Sequence, residues 1–127
     1  MQSRPINAAD GPAAQGGYAQ AFEVQGASRI LYISGQIPMD GESQVPHDFE
    51  GQARLVWKNV ERQLVTAQMG LENLVKVTTF LAHRDHRIQN RTIRQAVLGA
   101  HTPALTVIIC EIFEEAWLLE IEAIAMA

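Results

Sequence analysis

The segment Leu105-Thr106-Val107-Ile108-Ile109-Cys110 carries apolar side chains at both odd and even positions. A strand of this kind presents a hydrophobic surface on each of its faces and needs cover on both sides. Only two stretches have helical spacing. From about Phe49 to Met69, the residues Phe49, Ala53, Val56, Val60, Leu64 and Ala67 fall on one stripe, with Arg54, Lys58, Glu61 and Arg62 mostly off it. A second helix is expected over Ile88 to Leu98, where Ile88, Thr92, Ala96 and Gly99 recur at helical intervals beside Ile93 and Val97. Two helices shield one face of a sheet. The other face stays a large apolar patch unless another copy of the chain covers it, so oligomerisation is expected.

The remaining elements follow from local signals. Residues 1–17 are rich in Gly, Pro, Ala and Asn and are expected to form an irregular lead-in to a single domain covering 1–127. Tyr18 to Val24 and Arg29 to Ser34 read as strands joined into a hairpin by Gln25-Gly26-Ala27-Ser28. Gly35 ends the second strand, and Ile37 to Met39 extends the pairing before a turn at Asp40-Gly41. Gly70 sits where the first helix should stop. Leu74 to Leu81 is strand-like, with β-branched Val75, Val77, Thr78 and Thr79. Leu105 to Ile112 and Trp117 to Ala125 read as the last strands, separated by a turn at Glu114-Glu115. The order β-β-(β)-α-β-α-β-β defines an α+β class: a mixed β-sheet with two helices packed on one face.

Composition narrows the classes of function. A net charge of −4 gives the chain no overall electrostatic attraction to nucleic acid or to an anionic membrane. No apolar run approaches the roughly 20 residues that span a bilayer, and the opening Met-Gln-Ser-Arg-Pro-Ile-Asn lacks the apolar centre of a secretory signal. Cys110 is the single cysteine, which excludes an internal disulfide framework and fits a reducing compartment; a core role is expected for it. These features lead to the expectation of a cytoplasmic domain.

Three short motifs carry more specific information: Gly16-Gly17-Tyr18, then Ile33-Ser34-Gly35-Gln36-Ile37-Pro38, then Leu119-Glu120-Ile121-Glu122-Ala123-Ile124-Ala125. At these separations the chain resembles the RidA/YjgF family, also labelled the endoribonuclease L-PSP family. The resemblance implies a chorismate-mutase-like fold, a homotrimer with sheets facing inward, and pockets between subunits. Several members hydrolyse reactive enamines and imines without a cofactor. Glu120 matches the family glutamate that orients or activates the attacking water. Tyr18 matches a tyrosine that closes over the site, although Gly17 stands where the family has proline. Ser34 and Gly35 match a loop whose backbone amides face an oxygen, and Asn90 falls where the family places an asparagine near the pocket. The chain departs at Pro103-Ala104-Leu105, where deaminating members carry an arginine that holds the substrate carboxylate. Thr102 stands in place of an aromatic residue and Val107 in place of a common cysteine.

Each of these residues also has an ordinary structural role available. Glu120 and Glu122 lie two apart on a strand and share a face. There they either pair with cations across an interface or, as carboxylates partly withdrawn from water, become more basic. Tyr18 equally suits a half-buried strand aromatic, Gly35 a strand end, and Asn90 an exposed helix start. Leu105 offers neither charge nor donors, so a carboxylate buried against it lacks a partner. That argues against 2-imino acid substrates.

The segment from His83 to Arg94 holds four of the ten Lys and Arg residues. On a helix, Arg87, Arg91 and Arg94 share a face at i, i+4 and i+7. A solvated face with ion pairs is the ordinary reading; an anion or RNA contact is the other, and a cation for the pocket a third. RNA binding lacks support from any aromatic stacking platform. His83, Asp85 and His86 have metal-ligating chemistry but no further cluster to complete a set, so no metal is expected. Neither a Walker A nor a dinucleotide fingerprint occurs, and no histidine motif supports Ser34 as a nucleophile. The expected activity is hydrolysis of a small imine, enamine or related C–N compound by a homotrimer. The alternatives are a non-catalytic trimer binding a small ligand or a protein, and RNA cleavage or translation inhibition.

Overall fold

Helix α1 (Phe49–Thr66) lies across a sheet and buries Phe49, Ala53, Val56, Trp57, Val60 and Leu64 against it. A computed structural model describes residues 1–127. The other elements are β1 (Gln2–Ile6), β2 (Ala21–Gln25), β3 (Ile30–Gln36), β4 (Leu74–Leu81), α2 (Arg87–Leu98), β5 (Ala104–Ile109) and β6 (Leu119–Met126). The main sheet has the order β3-β6-β4-β5. Strand β6 is antiparallel to both neighbours, while β4 and β5 run parallel and are joined through α2. Alternation along β6 places Leu119, Ile121, Ala123 and Ala125 in the core beneath the helices. The α+β class and the one-sided helical cover expected from the sequence are therefore present. No helix is long and apolar enough to cross a membrane.

The front of the chain departs from expectation. Residues 1–17 are not wholly irregular, because Gln2–Ile6 forms β1 and pairs antiparallel with β2. Arg4 sits opposite Glu23 in that register, and their side chains form an ion pair at 3.0 Å. Strands β2 and β3 do not make the expected hairpin, since β2 pairs with β1 and β3 with β6. The link turns at Gly26, with φ of 70°, and the Ser28 and Arg29 amides then donate to the Ala127 carbonyl. Those long-range bonds direct β3 onto β6 and leave β2 in a second, two-stranded sheet. This sheet docks at the start of β5, where Ala19 donates to the Pro103 carbonyl and Phe22 packs edge-on against His101. Residues 37–39 add no strand; their carbonyls at Ile37 and Met39 accept from the Asn59 side chain instead.

The helix ends are set by caps. Asp48 accepts from the Gly51 amide at 3.0 Å and opens α1. The helix stops before Gly70, because Gln68 adopts φ of 59° and the Met69 amide reaches back to the Leu64 carbonyl. A non-glycine residue thus takes the left-handed position that commonly closes a helix. Helix α2 is rotated from its expected stripe. Ile88 is exposed, and the buried residues are Asn90, Ile93, Arg94 and Leu98. Cys110 is half-buried at the end of β5, not a core residue.

Gln52 ties α1 to the loop before β6. Its side-chain nitrogen donates to the Pro46 and Ala116 carbonyls at 3.0 Å each, and its oxygen accepts from the Leu118 amide at 2.8 Å. Gln52→Leu leaves these buried groups unmatched and is expected to destabilise the protein by about 3 kcal/mol in denaturant unfolding. A loss within error would show that water replaces the amide. Arg4 donates a hydrogen bond to Glu23 and, with its charge, lowers that carboxyl's pKa in the folded state. Such a shift stabilises above the unfolded pKa and fades as pH falls through the folded one. Amide protection in β1 of wild type should therefore exceed that of Glu23→Gln at neutral pH and converge with it in acid, as read by hydrogen exchange.

Candidate functional site

A cavity of about 320 Å³ lies between α2, the helix-side edge of β5 and the segment before β2. Tyr18, Asn90 and Leu105 all line it, which brings three of the expected site residues together on one protomer. Leu105 is registered with the buried Val77, so its side chain belongs to the helix-covered face of the sheet. With Val107 it makes an apolar wall. Asn90 is 3% exposed, so it is no surface residue at a helix start. Tyr18 is half-buried at the cavity.

The opposite wall carries the cations. Arg87, Arg91 and Arg94 all line the cavity, together with Gln15 and Gln20. The ordinary reading of these arginines as a solvated, ion-paired face holds only in part: Arg87 and Arg91 are exposed, Arg94 is buried, and none of the three is ion-paired. The ion pairs of the protomer are Arg4–Glu23 and Arg54–Glu50, and none involves α2. Arg94 donates to the Gly16 carbonyl. Burial, chiefly, and the adjacent Arg91 lower its pKa, with Tyr18 acting the other way. The i, i+4, i+7 spacing was visible in the sequence; its direction was not, since Asn90 and Arg94 point inward beside Ile93 and Leu98.

Ser34, Gly35 and Glu120 form a second group. The register between β3 and β6 steps from Ile33↔Ala123 to Gln36↔Ile121, leaving one extra residue in β3 at Ser34-Gly35. Bulges of this type redirect strand ends and recur beside functional sites. Here the bulge lets Glu120 lie over the glycine, since a Cβ at Gly35 would collide with a Glu120 carboxylate oxygen. Glu120 has no ion-pair partner, and Glu122 is likewise unpaired. Ser34 is exposed and its carbonyl accepts from the Gln36 side chain.

The two groups occupy opposite faces of the sheet. Glu120 is registered with Phe80, one residue from the buried Leu81↔Leu119 and Thr79↔Ile121 pairs, and so lies on the opposite face. Its face has no helical cover and also presents Tyr32 and Ile108, which are 74% and 44% exposed. Lys76 and Thr106 are joined across it at 2.6 Å. Elsewhere, the His86 ring stacks on Phe49 with centroids 4.4 Å apart, so one of the two candidate loop histidines serves packing between the helix starts.

A mixed sheet backed by two helices, with a polar cavity beside the parallel strand pair, defines a small α+β class of protein. The model of the family described as Endoribonuclease L-PSP matches residues 8–127. The chain belongs to this family, which is the RidA/YjgF family of the sequence motifs. It is 32% identical over 123 residues to the 2-iminobutanoate/2-iminopropanoate deaminase of Rattus norvegicus, covering 95% of this chain and 88% of that protein. A RutC family protein of Pyrococcus horikoshii is 31% identical over 112 residues, covering 87% and 86% of the two chains. A crystal structure of a conserved Rid family protein of unknown function from Yersinia pestis superposes with a TM-score of 0.88 over the whole of both chains, at 24% identity. That last likeness speaks to the fold alone.

Gly35→Ala tests the packing of the carboxylate. The atom in the way is the tip of a flexible side chain, so the protein is expected to fold while the Glu120 carboxylate swings out of place. A crystal structure of the variant with Glu120 unmoved would contradict the contact.

Proposed function

We propose that the protein hydrolyses a small imine or enamine in the cavity beside Leu105, with Glu120 supplied by a second copy of the chain. The observation that carries this reading is the position of Glu120. It is an unpaired carboxylate over a bulged glycine, on a sheet face that lacks cover. Apolar residues on that face, Tyr32 and Ile108 among them, favour association of copies through it. A trimer is the assembly the family resemblance supports, and it would carry Glu120 of one copy to the rim of another's cavity. The deaminase named for the rat relative supports the reaction class.

In this mechanism Glu120 orients a water molecule and accepts its proton as the oxygen bonds to the imine carbon. Glu120 returns that proton to the nitrogen, the new hydroxyl gives up its own proton to it as the C–N bond breaks, and ammonia leaves a carbonyl compound behind. Tyr18 contacts the substrate, Asn90 offers an amide to it, and Leu105 with Val107 receives its apolar part. A carboxylate set against Leu105 itself would be unpaired, so recognition there favours hydrocarbon. The argument against 2-imino acids rests on Leu105; Arg87, Arg91 and Arg94 line the same cavity, and turnover of imines from acidic amines tests whether one of them replaces the missing cation.

Ammonia release from freshly generated imines of neutral and acidic amines measures the activity directly. Glu120→Gln is expected to lower kcat by about 100-fold, the usual scale for loss of a general base. Turnover that persists in Glu120→Gln would remove the carboxylate from the mechanism. If no imine is hydrolysed by wild type, a binding function without catalysis takes its place.

A further inference from the structure

We propose that this cavity selects small ligands bearing at least two negative charges, held by Arg87, Arg91 and Arg94. The inference rests on the preceding one only in using the same cavity. Three guanidiniums face this space, and no acidic side chain lines it. Arginine remains charged at any ordinary pH, so the wall carries three positive charges. Arg94 is 4% exposed, and its buried Nε has no hydrogen-bond partner. A buried charge with an unused donor is costly unless an acceptor arrives. The protomer provides none beyond the Gly16 carbonyl.

Gly16 brings the two inner arginines together. A Cβ there would sit 3.1 Å from Arg91 Nε and 3.6 Å from an Arg94 terminal nitrogen, and Gly16 itself has φ of 97°. The missing side chain thus leaves room for neighbouring guanidiniums that repel each other until an anion bridges them. Arg87 adds a third donor fork one turn towards the helix start. Even if the Glu120 carboxylate of a second copy reached in, two of the three charges would remain unmatched. A single carboxylate on the ligand leaves the same excess. A phosphoryl group, or two carboxylates on one small molecule, leaves at most one charge over, and guanidinium forks bind either in bidentate fashion.

Calorimetric titration of the intact protein at low salt tests this with four probes: acetate, succinate, glycerol 3-phosphate and a short RNA oligonucleotide. Succinate or glycerol 3-phosphate is expected to bind at least about tenfold more tightly than acetate, and the tighter of the two identifies the anion source. Arg91→Gln and Arg87→Gln change exposed side chains, keep the fold and should each weaken the dianion by about 10-fold with little effect on acetate. Arg94→Met should weaken it most; if that variant fails to fold, the two exposed variants decide the matter. Equal affinity for acetate and the dianions, or dianion binding unchanged in both Arg87→Gln and Arg91→Gln, would overturn the proposal. So would RNA that outbinds both dianions and loses affinity in the same variants. Dianion binding without imine hydrolysis supports this inference and removes the hydrolase. Hydrolysis of neutral imines with no preference for dianions does the reverse.

Discussion

Strand β6 lies between β3 and β4, and its strict alternation divides the molecule into two environments. Leu119, Ile121, Ala123 and Ala125 pack beneath the helices with Trp57, Leu64 and Val77. Removing that much apolar surface from water is the main source of stability in a chain this short. The same alternation forces Glu120, Glu122 and Ile124 onto the other face, where no helix lies above them. The position of the carboxylates follows from the packing of their neighbours. A one-residue slip of β6 would bury both glutamates and expose the core row, so the register is strongly held.

The departures from regular pairing are concentrated around that strand. The extra residue at Ser34-Gly35 breaks the β3–β6 ladder beside Glu120, and the glycine makes space for the carboxylate. On the helix side, β4 and β5 are parallel, so their connection must cross over the sheet; α2 is that crossover and forms one wall of the cavity. The second sheet docks at the first residues of β5 and brings Tyr18 to the cavity's edge. Each half of the candidate site is thus assembled by contacts between residues distant in sequence.

Those distances explain what could be read from the sequence. The α1 stripe was legible because Phe49, Ala53, Val56, Val60 and Leu64 are all apolar and all buried. The α2 face was misread because polarity was equated with exposure, whereas Asn90 and Arg94 turn inward and Ile88 turns out. Gln2–Ile6 carries no apolar alternation, and its strand arises from pairing with β2, a contact no local signal announces. The β2–β3 hairpin was a reasonable local reading that lost to bonds between Ser28, Arg29 and Ala127 at the far end of the chain. Tyr18, Ser34, Gly35, Asn90, Leu105 and Glu120 were named from motif resemblance. Their separation onto two faces required the strand register. The arginines that line the cavity were visible only as a helical spacing, with nothing in that spacing to show which way it pointed.

Helix α2 sends Ile93 and Leu98 into the interior while Asn90 and Arg94 line the cavity from the same buried side. The spacing at which its arginines leave the backbone is therefore set by helical pitch and anchored by the core, not by a loop that can rearrange around each visitor. Such a wall works as a fixed ruler. In the proposed site it would sort molecules by the separation of their groups. Divergence in what the cavity accepts would come most easily from Gln15 and Gln20, exposed positions on its rim that can change without disturbing the interior.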